Sequence, residues 1–380
     1  MDSGASPFAG KLWLAPLTVG GNLPFRRLCV SFGAEVTVGE MAVVRSLLKR
    51  KAAELALLRS HREEPCFGAQ LADRDPRSAA DGARLAEERG ARFVDLNCGC
   101  PIHAVAGRGL GAGLLQRPGR IGALVESMRR AVGIPVTVKL RVGWREDKPN
   151  VLEVARICEE SGAAALTIHA RSREQRYTRA ADWGLVGQVA AERRIPVVGN
   201  GDILTHYEAR DRMARSGVGS VMLARGALVK PWLFREIREG RDLFPTAEER
   251  FELLWRLRGL LREHFGDSDG ARLRVRRFLG WHLGFFWRYR PLPEERYLEA
   301  SRVHPLLQTR FADAAEAGLG PLERLLRDPR PQLHEALALS LEASASREEA
   351  EAAALNAAAG LPAPDGAPAP ELPAGVAVAG

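Results

Sequence analysis

Lys139 stands in Val136-Thr-Val-Lys-Leu-Arg-Val142, an otherwise apolar run with the β-branched content of a strand. An ammonium that leaves water there needs an anionic or electron-rich partner. The alternation of Val136, Val138 and Leu140 puts Lys139 on the opposite face from those three; the plainer alternative is a strand-end lysine in solvent. His169 closes Leu166-Thr-Ile-His169 in the same way, and Gln70 closes Phe67-Gly-Ala-Gln70. Polar groups of this kind converging on one opening suit a planar heterocycle. Asp95-Leu-Asn-Cys-Gly-Cys-Pro101 ends a further run with two thiols. Cys98, Cys100 and His103 would give a metal only three ligands, and no partner pair follows, so no metal is expected. A thiol with its ordinary pKa of about 8.5 is mostly protonated at neutral pH, as a general acid must be. Cys100, before Pro101 and on a loop with Gly107, Gly109, Gly111 and Gly113, is the better acid, and Cys98 is expected to pack. Val197-Val-Gly-Asn-Gly-Asp202 and Val221-Met-Leu-Ala-Arg-Gly-Ala227 end two consecutive runs in glycine-bearing loops. Backbone N–H groups there can take a phosphate, although such turns are often simply glycine-rich.

What positions these residues is a series of eight short apolar runs: Leu12–Leu17, Glu35–Gly39, Cys66–Leu71, Phe93–Asn97, Val136–Val142, Ala165–Ala170, Ile195–Asn200 and Ser220–Arg225. Several are nearly continuous, as strands buried on both faces of a parallel sheet are. Between them, Pro76–Arg89, Asn150–Ser161 and Tyr207–Ser216 carry helical spacing and end in Gly90, Gly162 and Gly217. Eight strand–helix repeats predict a (β/α)8 TIM barrel, with a doubly wound sheet as the alternative. In a barrel the C-terminal strand ends face the site, which selects Pro16–Thr18, Glu40, Gln70, Asn97–Cys100, Lys139–Arg141, His169–Arg171, Asn200–Asp202 and Ala224–Gly226. The barrel is expected over residues 1–244, a smaller helical domain over 245–342, and a flexible Ala/Pro-rich tail over 343–380. Trp255, Phe278, Trp281, Phe285, Phe286, Trp287 and Tyr289 are interleaved with arginines in the helical part. That mixture fits either an aromatic core with solvated Arg faces or an RNA-backbone surface.

The chain has 380 residues, 46% of them hydrophobic and 27% charged. No run reaches the roughly 18 consecutive apolar residues of a membrane span, and no basic leader precedes an apolar stretch. A cytoplasmic home, with the nucleus as an alternative, is the expectation. Five scattered cysteines suit free thiols rather than a disulfide framework. The net charge of +8 is a modest attraction for a polyanion. Only six of the 55 basic residues are lysines, so each lysine draws notice.

Taken together, the motifs resemble the tRNA-dihydrouridine synthases, a family of FMN-dependent barrels. The resemblance is carried by Leu14-Ala-Pro-Leu-Thr18 with Asn22-Leu-Pro-Phe-Arg26, Phe67-Gly-Ala-Gln70, Asn97-Cys-Gly-Cys-Pro101, Val138-Lys-Leu-Arg141, His169-Ala-Arg-Ser-Arg173, Gln175-Arg-Tyr-Thr178, Ala181-Asp-Trp183, Gly199-Asn-Gly-Asp202, Ala224-Arg-Gly-Ala-Leu228 and Pro231-Trp-Leu-Phe234. Val36-Thr-Val-Gly-Glu-Met-Ala42 and Arg171-Ser-Arg-Glu-Gln-Arg-Tyr177 are most similar to the eukaryotic branch acting on uridine 47. The resemblance implies that Pro16, Leu17 and Thr18 line FMN, and that Gln70 and Lys139 contact its ring. His169, Asn200, Gly201, Asp202, Ala224 and Arg225 would hold the ribityl and phosphate part. It further implies hydride transfer to C6 of a tRNA uracil, with Cys100 giving a proton to C5 and NADPH reloading the flavin. Ala170 and Arg108 stand where the family pattern has glycine and lysine. The expected partner is tRNA, with no membrane, and a monomer is expected. Two alternatives are an FMN barrel reducing a free pyrimidine or enone, and a redox-inactive RNA-binding barrel. Intact Gln70, Lys139 and Cys100 speak against the second.

Overall fold

Eight parallel strands close on themselves in this computed structural model, in which residues 6–291, 294–298, 300–303 and 318–360 are described. They are β1 (Leu12–Leu14), β2 (Val36–Val38), β3 (Phe67–Ala72), β4 (Phe93–Cys98), β5 (Val136–Arg141), β6 (Ala165–His169), β7 (Val197–Asn200) and β8 (Ser220–Leu223). Each pairs with the next, and β8 returns to β1 through Leu12↔Val221. This is the expected (β/α)8 barrel. A two-residue strand, Ala42–Val43, lengthens the sheet at the end of β3, where Ala42 pairs with Leu71. β1 stops short of its expected end because Pro16 has no N–H to donate to the ladder.

The floor of the barrel is apolar. Phe8, Trp13 and Phe93 meet with ring centroids 5.2 to 5.6 Å apart, surrounded by Val36, Val38, Val198 and Met222. At Gly68 an added Cβ would come within 2.2 Å of the Phe93 ring, so the plug requires glycine at that position. Val136, Val138 and Leu140 face outward into the core shared with the helices, which leaves Thr137 and Lys139 facing inward, as the alternation predicted.

The surrounding helices begin and end on the expected signals. Pro76–Glu88 is capped by Asp75, whose carboxylate accepts from the N–H groups of Arg77 and Ser78. His206–Ser216 opens with a reciprocal Thr205/Glu208 box and closes at Gly217, at φ 70°.

Beyond the barrel, helices Ala247–Phe265 and Asp269–Phe286 form the expected helical region with Pro321–Arg327 and Pro331–Ala343. Its aromatic residues turn inward: Phe285, Phe286 and Tyr289 are buried, and Phe265 stacks on Phe278 at 5.3 Å. The aromatic core is therefore the reading that holds for these residues, with Trp255 and Trp281 partly buried against it, while Trp287 is half-buried outside it. Trp281 also reaches the barrel, since an added Cβ at Gly20, in the loop after β1, would lie 2.6 Å from its ring.

The flexible tail expected from residue 343 is corrected over Arg347–Ala359, which is a helix capped by Ser346. Ala350 and Ala354 are buried, and Arg347 lies over the Phe251 ring. Alanine contributes little area to a core, but it forms helices best and lets a helix approach an existing surface closely. Residues 361–380 lie outside the described residues.

Candidate active site

The C-terminal ends of β3, β4, β5, β6 and β7 bring Gln70, Asn97, Lys139, His169 and Asn200 to one mouth, and hydrogen bonds join them into two connected groups. In the first, Thr137 Oγ1 donates to Asp95 Oδ1 at 2.6 Å and Gln70 Nε2 donates to Asp95 Oδ2 at 2.7 Å. Asn97 Nδ2 in turn donates to Gln70 Oε1 at 2.7 Å, and Asn97 Oδ1 accepts from the N–H groups of Gly99 and Cys100 at 3.1 and 2.9 Å. A continuous chain of bonds thus runs from inside the barrel to the Cys100 backbone. Burial pushes the Asp95 carboxyl upward against those bonds and the Lys139 charge.

Cys100 is half-buried, under the glycine loop. Ala112 N–H donates to its carbonyl at 3.0 Å, and an added Cβ at Gly111 would lie 2.9 Å from the Cys100 Cβ. Burial raises the thiol above its ordinary value, opposed by a backbone hydrogen bond from Ile102 and by the Arg141 charge. The side chain therefore keeps its proton at neutral pH. Arg141 fixes the strand end beside it, donating to the carbonyls of Gly99 and Ser172 at 2.7 and 2.9 Å. Cys98 is fully buried, as expected.

The second group centres on Asn200 Oδ1, which accepts from Lys139 Nζ at 3.3 Å and His169 Nδ1 at 2.8 Å, while Asn200 Nδ2 donates to the Met222 carbonyl at 2.7 Å. Burial, and then the Arg141 charge, lower Lys139 to about 8, with Asp95 opposing. His169 lies well below its ordinary value through burial and the charges of Arg141, Lys139 and Arg171. It is neutral, with Nδ1 carrying the hydrogen and Nε2 left as an acceptor.

Gly201 and Asp202 follow β7, and Ala224 and Arg225 follow β8. Asp202, at φ 48°, accepts from Arg171 Nη2 at 2.5 Å and from the Ala181 N–H at 2.8 Å. Arg225 lies 3.7 Å from Asp202 and 3.9 Å above the Tyr177 ring. The two loops touch at Gly226, where an added Cβ would fall 2.1 Å from the Ile203 carbonyl oxygen. Pro16, Leu17 and Thr18 follow β1, the first two half-buried and Thr18 exposed, while the next residue, Val19, takes the left-handed region at φ 68°. That conformation costs a β-branched residue about 1–3 kcal/mol. It is held by Glu40, which accepts from the Val19 N–H at 2.8 Å, and by Asn22, which donates to the Val19 carbonyl at 2.8 Å.

Two parts of the site, Asp95 and Tyr177, escaped the sequence reading, and Arg171 was selected there only as a strand-end residue with no role assigned. Asp95 carried a signal, since a carboxylate in an apolar strand is as anomalous as Lys139. Arg171 and Tyr177 lie on an irregular loop, where no periodicity marks which side chains fold back.

Four buried atoms at this mouth have no hydrogen-bond partner: His169 Nε2, Arg171 Nη1, Asp202 Oδ1 and Arg225 Nη1. Buried polar atoms are rarely left so. The two guanidinium donors suit a phosphate, and the imidazole and carboxylate acceptors suit the hydroxyls of a chain, so the residues present fit a phosphorylated flavin. Among the described residues no cluster of His, Cys, Asp and Glu could hold a metal.

The sequence matches the family described as Dihydrouridine synthase (Dus) over residues 13–286. It is 42% identical over 287 residues to a Xenopus tropicalis protein named tRNA-dihydrouridine(47) synthase [NAD(P)(+)]-like, covering 75% of this chain and 45% of that one. A Coprinopsis cinerea tRNA-dihydrouridine(47) synthase is 40% identical over 298 residues, covering 74% and 44%. A Mus musculus relative of the same name as the Xenopus one is 43% identical over 333 residues, covering 85% and 52%. The chain spans about half the length of the curated relatives it matches. With the barrel, the strand-end site and these matches in agreement, the chain belongs to the dihydrouridine synthase family.

Proposed function

We propose that this chain reduces one uridine of tRNA to 5,6-dihydrouridine, with FMN as its cofactor, NADPH as electron donor and uridine 47 as its target. The observation that carries the reading is the set of buried, unpartnered atoms on His169, Arg171 and Arg225, at the same barrel mouth as a protonated Cys100. Support for the position comes from the names of the relatives.

Arg171 and Arg225 would hold the cofactor phosphate, and His169 Nε2 would accept from a ribityl hydroxyl. Gln70 and Lys139 would meet the ring system, with Pro16, Leu17 and Thr18 along its side. A flavin held there would be the source of the hydride that C6 of uracil takes up. Cys100 holds the complementary proton at Sγ and delivers it to C5, so that the ring gains two hydrogens in all. A uridine of folded tRNA has to leave its stack to reach this mouth, and arginines of the helical region would grip the backbone meanwhile.

The test is anaerobic. NADPH should bleach the yellow protein, and unmodified tRNA should restore the colour. Restoration by free uracil or an enone, with none by tRNA, would favour a small-molecule reductase instead.

A further inference from the structure

Within the segment between β2 and β3, Arg45–Glu64 carries six basic side chains, Arg45, Lys49, Arg50, Lys51, Arg59 and Arg62, against three carboxylates, Glu54, Glu63 and Glu64. All six basic residues are exposed. The three carboxylates are spent elsewhere. Glu54 accepts from the Val43 N–H at 2.9 Å, and Glu63 pairs with Arg27 at 3.0 Å. Glu64 is buried against Arg26 at 2.7 Å and also accepts from Thr37 and the His61 N–H. Among the described residues none of the six basic side chains forms an ion pair. Several arginines on the outer helices are paired instead: Arg84 sits 2.6 Å from Asp81, Arg130 2.5 Å from Glu126, and Arg156 2.7 Å from Glu160.

The fold puts this unneutralised charge along one path. The segment leaves the barrel at Ala42–Val43, beside the end of β3. At its far end the Arg59 carbonyl accepts from Arg26 Nη2 at 2.7 Å, and the adjoining Arg27 pairs with Glu263 of the helical region at 2.8 Å. Between them, Lys49, Arg50 and Lys51 form a corner joining the helices Val44–Leu48 and Ala52–Ala56. Arg50 sits there at φ 55°, a conformation that glycine takes more easily. An arginine at that corner adds a third adjacent cation in spite of the backbone penalty.

We propose that Arg45–Arg62 is a phosphate-gripping strip that carries the RNA backbone between the helical region and the barrel mouth. The inference rests on the tRNA reading above. Such an RNA, with its base in the mouth and its body on the helical region, would find this strip joining the two, from Ala42–Val43 beside β3 to Arg59 beside Arg26 and Arg27. A membrane surface fits poorly, because Leu47 and Leu58 are buried and only Leu48 of the segment's leucines is exposed, leaving no apolar face to insert.

The test is equilibrium binding of unmodified tRNA across a salt series, comparing the full chain with a Lys49→Gln, Arg50→Gly, Lys51→Gln variant. Each lost phosphate contact removes about 0.7 to 0.9 from the slope of log K against log salt. The variant should therefore lose about 2 to 3 from the slope and bind roughly tenfold or more weakly near 0.15 M salt. Bleaching of its flavin by NADPH should match the parent, and Arg84→Gln with Arg130→Gln should leave tRNA binding unchanged. Parental affinity and slope in the triple variant would overturn the proposal. So would intact tRNA binding with lost binding to phosphatidylserine vesicles. A parent that binds tRNA through this strip yet reduces no uridine would refute the activity while leaving the strip in place.

Discussion

Cys100 keeps its proton because burial penalises the thiolate more than the Arg141 charge and the Ile102 hydrogen bond favour it. Cys100→Ala should therefore keep its yellow flavin and lose turnover on tRNA by roughly 100-fold or more, the usual range for a missing general acid. Single-turnover reoxidation by tRNA measures this, and parental rates would remove Cys100 from the chemistry. Lys139 makes a different prediction, for the flavin-free protein. It titrates near 8 in the fold and near about 10.4 in an unfolded chain. Between those values the unfolded chain binds more protons, so its contribution to stability rises with pH through that window. Lys139→Met should stabilise the flavin-free chain most below pH 8 in urea melts, with the gain shrinking towards pH 10. A gain independent of pH would contradict the burial of an ammonium. Lys139, Gln70 and His169 were legible because a polar side chain in an apolar strand is a visible anomaly. Tyr177 was not, since its place depends on how the loop after β6 folds back onto Arg225.

At the scale of elements, the eight strands were legible because burial on both faces leaves nearly continuous apolar runs between glycine and proline stops. Ala42–Val43 was missed because two residues carry no periodicity, and only pairing with the end of β3 makes them a strand. The loops after β7 and β8 make a prediction of their own. Gly226→Ala would force a Cβ against the Ile203 carbonyl, parting the two loops that position Asp202 and Arg225. Overpacking of this kind costs about 1–3 kcal/mol, and flavin retention on dialysis should fall by roughly 5-fold or more, since each 1.4 kcal/mol is a factor of ten. Unchanged retention would mean that the loops do not need their contact to hold the cofactor.

Across the whole molecule, composition misjudged the helix Arg347–Ala359, because Ala/Glu-rich sequence resembles a solvated tail until a partner surface is known. Ending the chain after Ala345 should strip Phe251 of Arg347 and uncover the face that buries Ala350 and Ala354, lowering the thermal midpoint by on the order of 5 °C. An unchanged midpoint would show that this helix adds nothing to the fold. The larger claim joins barrel, thiol and RNA in one reaction, and mass mapping of a tRNA transcript tests it most directly. After incubation with the protein, FMN and NADPH, one uridine, at position 47, should gain two hydrogens, and Cys100→Ala should leave that position unmodified. A protein that is yellow and bleached by NADPH, yet leaves every uridine of the transcript at its original mass, would contradict the account.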